Sequence, residues 1–130
     1  MTSARPRRRA LRGLCGLALA PLASGCRQEL PPDVVRVPLE RLEGSRRVRV
    51  EWRGDPVEVR QTPAGPAARS LLCTHFGCPL AWDETRRRYV CPCHAGQFDE
   101  DGRPVAGPPN LPLAAVPLRV VGGEAVVGLS

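Results

Sequence analysis

Two short segments hold four of the chain's six cysteines and both of its histidines: Cys73-Thr74-His75-Phe76-Gly77-Cys78 and Cys91-Pro92-Cys93-His94-Ala95-Gly96. Each offers one thiol and one imidazole at ligand distance. Reduced to those donors, the pattern is Cys-x-His, 15 residues (Phe76 to Val90), then Cys-x-x-His. Each segment also carries one cysteine more than a four-donor site needs. Soft thiolates combined with imidazole suit zinc or an iron–sulfur centre, with no carboxylate required.

A structural zinc site made by Cys73, His75, Cys91 and His94 is the simplest candidate. Cys-x-His is an unusual zinc half-site, however. A 2Fe–2S cluster with two cysteines on one iron and two histidines on the other is an established class. Ordinary buried thiols are a third reading, and the crowding of these donors into 22 residues speaks against it. The iron–sulfur reading leads, and a structural zinc-binding module remains the alternative from another class.

The surrounding sequence reads as strands and turns. Val34 to Val37 is strand-like. Val48 to Trp52 alternates apolar and charged residues, as a half-exposed strand does. Arg53-Gly54-Asp55-Pro56 then turns the chain, and Val57 to Arg60 returns. Thr62-Pro63-Ala64-Gly65-Pro66 is expected to be loop. Leu80 to Trp82 and Arg88 to Val90 form a pair that feeds the second cysteine segment. Asp101-Gly102, between Gln97-Phe98-Asp99 and Arg103-Pro104-Val105, signals a hairpin. Leu118 to Val121 and Ala125 to Val127 make a last hairpin across Gly122-Gly123. No segment has a helical period and no repeat is present, so the fold class expected is all-β and antiparallel.

Charge excludes one class of partner. A pI near 9.5 suggests nucleic acid at first sight. Five of the 19 arginines (Arg5, Arg7, Arg8, Arg9, Arg12) precede an uncharged run, and the remaining 14 face all 13 acidic residues. The basicity thus belongs to the leader, and no basic stripe interleaves with aromatics. Only five aromatics (Trp52, Phe76, Trp82, Tyr89, Phe98) serve the core. So lean a chain needs a metal, a disulfide or a partner to help hold it.

Residues 1–25 read as an export signal: an arginine-rich start, an uncharged stretch from Gly13 to Gly25, then small residues. That stretch is too short to cross a bilayer as a helix. Leu22-Ala23-Ser24-Gly25-Cys26 resembles a bacterial lipobox with Cys26 as the acylated residue, although its leucine lies one place further out than usual. Simple cleavage or an uncleaved anchor are the alternatives, and Cys15 is read as part of the signal. Arg7-Arg8-Arg9-Ala10-Leu11 loosely resembles a twin-arginine signal, the route for a protein that must fold around its cofactor before export. Residues 26–33 form a short tether, and residues 34–130 the folded domain.

The two cysteine segments, followed by Gln97-Phe98-Asp99 and Gly107-Pro108-Pro109, resemble a Rieske iron–sulfur domain over the whole region from Val34 onward. The resemblance implies an antiparallel β-sandwich with the cluster loops at one tip. It implies that Cys73 and Cys91 bind a buried iron, His75 and His94 an exposed one, and that Cys78 and Cys93 are bridged. Gly107, Pro108 and Pro109 would be the proline loop over the cluster, with Phe76, Gly96 and Phe98 completing its surroundings. Such a bridge closes a segment of about 15 residues, worth about 3 kcal/mol on the chain-entropy estimate. It requires an oxidising compartment, which the export signal independently supplies.

The resemblance also separates roles. Rieske subunits of quinol-oxidising cytochrome bc complexes usually carry serine at the place of Gly96 and tyrosine at that of Phe98. Their hydroxyls donate to a cluster sulfide and a ligand sulfur and favour the reduced state. Neither donor exists here, so a lower potential is expected. Phe76 stands where those proteins usually have leucine. The expected function is an exported, lipid-anchored one-electron carrier, or the small subunit of a periplasmic oxidoreductase. Its place is the outer side of the bacterial cytoplasmic membrane or the periplasm, and its partners are redox proteins, a cytochrome or a larger subunit. The alternative, a Rieske subunit of a quinol:cytochrome c oxidoreductase, would bring quinol as a partner and need a longer tether than Arg27 to Pro32. A ferredoxin-like partner of an aromatic-ring dioxygenase ordinarily lacks the bridge and stays cytoplasmic. No catalytic residue is expected.

Overall fold

The computed structural model describes residues 33–130. The expected export signal with Cys15, the expected lipidation residue Cys26 and the expected tether to Pro32 lie outside the described residues. Eleven short strands run β1 (Val35–Pro38), β2 (Arg47–Trp52), β3 (Asp55–Thr62), β4 (Gly65–Ser70), β5 (Ala81–Asp83), β6 (Arg88–Val90), β7 (Gln97–Phe98), β8 (Pro104–Ala106), β9 (Ala115–Val116), β10 (Leu118–Val121) and β11 (Glu124–Val127). They form three antiparallel sheets, ordered β1-β11-β10, β2-β3-β4-β9 and β5-β6-β7-β8.

The expected hairpins form where turn chemistry is clearest. Arg53 and Gly54 make the two-residue turn between β2 and β3, both at positive φ (55° and 85°). Gly122 and Gly123 do the same between β10 and β11. Primed turns of this kind match the right-handed twist of paired strands, and their positive φ favours glycine.

One local reading is corrected and two further elements appear. Thr62 to Pro66 is not loop: β3 and β4 pair right up to the turn, with Gln61 opposite Pro66 and Thr62 opposite Gly65. Thr62 Oγ1 holds that turn, accepting from Ala64 N and donating to the Gly65 carbonyl. A proline is tolerated at position 66 because β9 reaches only Ala68 and Arg69, leaving the sheet edge open there. A 3-10 helix over Leu39–Ser45 has no sequence signal because its backbone kinks at Glu43 and Gly44, which erases any period. It lowers Leu42 into the core. Strand β9, two residues long, is too short for a pattern to show.

The middle sheet has two unlike faces. Val48, Val57, Val59 and Ala68 join Val37, Leu42, Ala125 and Val127 in one apolar core. Alternation along the strands sends Arg47, Glu58, Arg60 and Arg69 to the opposite face, toward the third sheet. That sheet and its loops enclose a second core of Leu71, Cys73, Leu80, Tyr89, Cys91, Phe98 and Leu113. The layer between the cores is polar. Arg47 and Glu58 meet Tyr89, Arg60 meets Asp101, and Arg69 donates to the Glu100 carbonyl.

Candidate metal centre

Both cysteine segments are closed by the same backbone device. In the first, Cys73 N–H donates to the Cys78 carbonyl (2.8 Å) and the fifth residue, Gly77, has φ 75°. In the second, Cys91 N–H donates to the Gly96 carbonyl (2.7 Å) and the fifth residue, Ala95, has φ 56°. Two six-residue loops of one shape thus face each other, the first entered from β4 and the second from β6. Gly77 is readable as a left-handed position. Ala95 is not, because the glycine of the second loop stands one place later.

The loops turn their thiols inward, leave His75 half-buried and turn His94 outward. Cys73 and Cys91 are free and almost fully buried, 3% and 1% exposed. Burial pushes the Cys73 thiol up, against the pull of the His75 and Phe76 amides. Burial acts on Cys91 too, but the amides of His94 and Cys93, the neighbouring Cys73 thiol and the Gly96 amide together outweigh it, and that thiol is pushed down. Loops that aim backbone N–H groups at sulfur are built for thiolates. The His75 and His94 rings stand edge to face, centroids 4.9 Å apart, with His94 exposed. His75 Nδ1 is buried and has no hydrogen-bond partner.

Cys78 and Cys93 are joined by a disulfide. Cys91 Sγ lies within 4.8 Å of both bridge sulfurs, but these are bonded to each other and do not serve as ligands. Among the described residues no three donor atoms of Cys73, His75, Cys91 and His94 come within that distance of one another. One tetrahedral zinc would draw its donors to roughly 3.3–3.8 Å apart, given bonds of about 2.0–2.3 Å. Two buried thiols on one side and two imidazoles on the other suit a binuclear centre. An orphaned imidazole nitrogen beside two buried free thiols fits a 2Fe–2S group.

The proline loop sits on the second ligand loop. A Cβ on Gly96 would lie 2.9 Å from Pro109 Cγ and 3.5 Å from Cys73 Sγ. One on Gly107, itself at φ 81°, would lie 2.8 Å from the Ala95 carbonyl and from Gly96 Cα. Two glycines therefore allow the contact. Pro109 is buried in it, while Pro108 is exposed. Thr74 Oγ1 donates to the Leu111 carbonyl (2.8 Å) and ties the first loop to the same segment. Phe98 is fully buried beside the thiols. Phe76 is 75% exposed, its ring 4.1 Å from that of His75, and Leu111 is 62% exposed. The tip is thus apolar around two imidazoles.

Residues 34–117 match the Rieske 2Fe-2S domain family. The chain belongs to that family. Its cofactor is accordingly a Rieske-type 2Fe–2S cluster. The Rieske match ends before β11, yet β11 is the central strand of its sheet, so the fold continues to Val127.

Among curated relatives, the carotenoid phi-ring synthase of Chlorobaculum tepidum is 41% identical over 75 residues, 58% of this chain and 12% of that protein. The cytochrome b6-f complex iron-sulfur subunit of the same organism is 34% identical over 80 residues, 62% of this chain and 44% of that protein. The chain thus spans less than half the length of either. Among solved structures, the cyanobacterial plasma membrane Rieske protein PetC3 from Synechocystis PCC 6803 superposes with a TM-score of 0.60 at 27% identity, over 72% of this chain and 97% of that one. The ferredoxin of carbazole 1,9a-dioxygenase from Nocardioides aromaticivorans IC177 gives 0.53 at 29% identity, over 75% and 98%. The antiparallel Rieske-type β fold is shared with them. No helix among the described residues is long and apolar enough to cross a membrane.

Proposed function

We propose that this chain is an exported one-electron carrier, or the small subunit of a larger redox enzyme, whose cluster is held by Cys73, His75, Cys91 and His94. The observation that carries the ligand assignment is their two-and-two arrangement, with thiols sealed in the core and imidazoles at the apolar tip. The cluster, when bound, takes up and returns one electron at a time. The chain supplies the rest. Loop amides stabilise the thiolates, Pro109 covers the second loop, and the outer ring nitrogens of His75 and His94 are where a proton is held on reduction. Phe76 and Leu111 give a redox partner an apolar surface to meet. Export, with a lipid on Cys26, rests on the leader and on a bridge that persists in oxidising compartments.

The purified protein is expected to be coloured, to carry iron and acid-labile sulfide in equal amounts, and to show the EPR signature of a mixed-ligand cluster when reduced. Its potential should fall as pH rises into the alkaline range. Colourless protein with one zinc would establish the structural zinc module instead.

A second reading has its own support in the cytochrome b6-f iron-sulfur subunits, 34% and 35% identical to this chain. In it the domain serves a quinol-oxidising complex. The short tether, Gly96, Phe98 and Phe76 favour the first reading. Quinol-dependent reduction that requires a co-purified cytochrome b would decide for the second.

A further inference from the structure

Glu58 is the only fully buried charged residue among the described residues, 4% exposed. It sits on the polar face of the middle sheet, where the register puts Arg49 and Arg69 directly beside it. Its Oε1 accepts from Arg47 Nη1 at 2.8 Å and from the Tyr89 hydroxyl at 2.5 Å, and Arg47 also donates to that hydroxyl at 2.7 Å. Arg47 is largely buried as well. Its guanidinium carbon stands 3.4 Å from the Trp82 ring centroid, and its Nη2 reaches Glu100. Tyr89 is fully buried in the same core as Cys73 and Cys91. It lies two residues before Cys91 on the strand that delivers that ligand, so both side chains leave one face.

A plain core would fill this position with a phenylalanine and two apolar residues at little cost, since a buried ion pair adds little net stability over well-packed apolar side chains. Here two opposite charges are hydrogen-bonded to a tyrosine that shares a core with the proposed ligand thiols, Glu58 sealed from solvent and Arg47 at the edge of an open surface groove. Resting on the ligand assignment above, we propose that Arg47 and Glu58, fixed by Tyr89, are positioning residues that set the reduction potential. Glu58 disfavours an added electron at the site, Arg47 favours it, and the pair balances the two. The shared hydroxyl keeps that balance in register with the strand carrying Cys91.

The test is the midpoint potential of the intact holoprotein at neutral pH, with iron, sulfide and EPR measured on every variant. Glu58→Gln removes the buried negative charge, leaving Arg47 with Glu100 alone, and should raise the potential by about tenfold in the equilibrium constant for reduction. Arg47→Met removes the cation hydrogen-bonded to Glu58, leaving Arg49 and Arg69 as its neighbours, and should lower the potential. The double variant should return close to the parent, and Glu58→Asp, which keeps the charge, should stay near it. A clamp with no electrical role predicts lower melting temperatures with potentials unmoved or shifted in one common direction, and either result overturns the proposal. If a single variant does not fold, Glu58→Asp and Arg47→Lys carry the test: both keep the charges and should leave the potential near the parent, and a shift in either counts against the pair. Parent protein without a cluster would instead overturn the ligand assignment.

Discussion

Gly96 and Phe98 are the positions where this chain differs most from the pattern expected of a high-potential site. The Gly96 Cβ direction points between Pro109 and Cys73 Sγ, so a serine there would bring its hydroxyl toward the sulfur while pressing on the proline ring. Gly96→Ser should therefore raise the potential and lower the melting temperature together. Phe98→Tyr, in a fully buried place beside the thiols, should raise the potential as well. A hydrogen bond to a charged acceptor is worth about 1.5–3 kcal/mol, which is roughly 60–130 mV for one electron. Voltammetry of both variants checks this, and unmoved potentials in both would refute the tuning argument. The four proposed ligands are legible from donor type and spacing alone. The tight seat of Pro109 on Gly96 is not, because it joins residues from separate loops and leaves no local pattern.

The two ligand loops share one backbone frame at the level of the element, and that frame makes a sharp distinction between space and conformation. At Gly77 nothing stands within 4 Å of where a Cβ would be, yet φ is 75°. Gly77→Ala should cost about 1–2 kcal/mol through conformation alone. Thermal melts of the holoprotein measure it, and an unchanged midpoint would mean that the loop relaxes freely. Strand hairpins with glycine turns are legible because their signal is local. The Thr62–Pro66 hairpin reads wrongly as loop because proline and glycine mark loops and tight turns alike. The 3-10 helix and β9 are invisible in the sequence, since seven kinked residues and a two-residue strand carry no periodicity.

Across the whole molecule, two apolar cores meet through a polar joint, and Glu100 anchors its outer side. Arg87 first, then Arg47 and Arg60, hold the Glu100 carboxyl below the usual range. A carboxyl depressed in the folded state adds stability above its unfolded value, and that contribution is lost as pH falls through the folded value. Melting temperature should thus decline on acidification below about pH 4.5, and Glu100→Gln should flatten part of that decline. The effect is small, since Glu100 is more than a third exposed. A slope unchanged in the variant would remove Glu100 from the account. The joint is not legible in the sequence, where its arginines look like ordinary solvated charge.

Among the described residues the Cys78–Cys93 bond is the covalent strap between two loops that otherwise meet through the His75–His94 and Phe76–His94 ring contacts and the seat of Pro109 on Gly96. A thiol reductant would cut it at the rim of the second core, against which Cys78 packs, and should loosen the grip of the two loops on iron. The rate at which the protein bleaches in such a reductant then becomes a gauge of how far its working surroundings must remain oxidising.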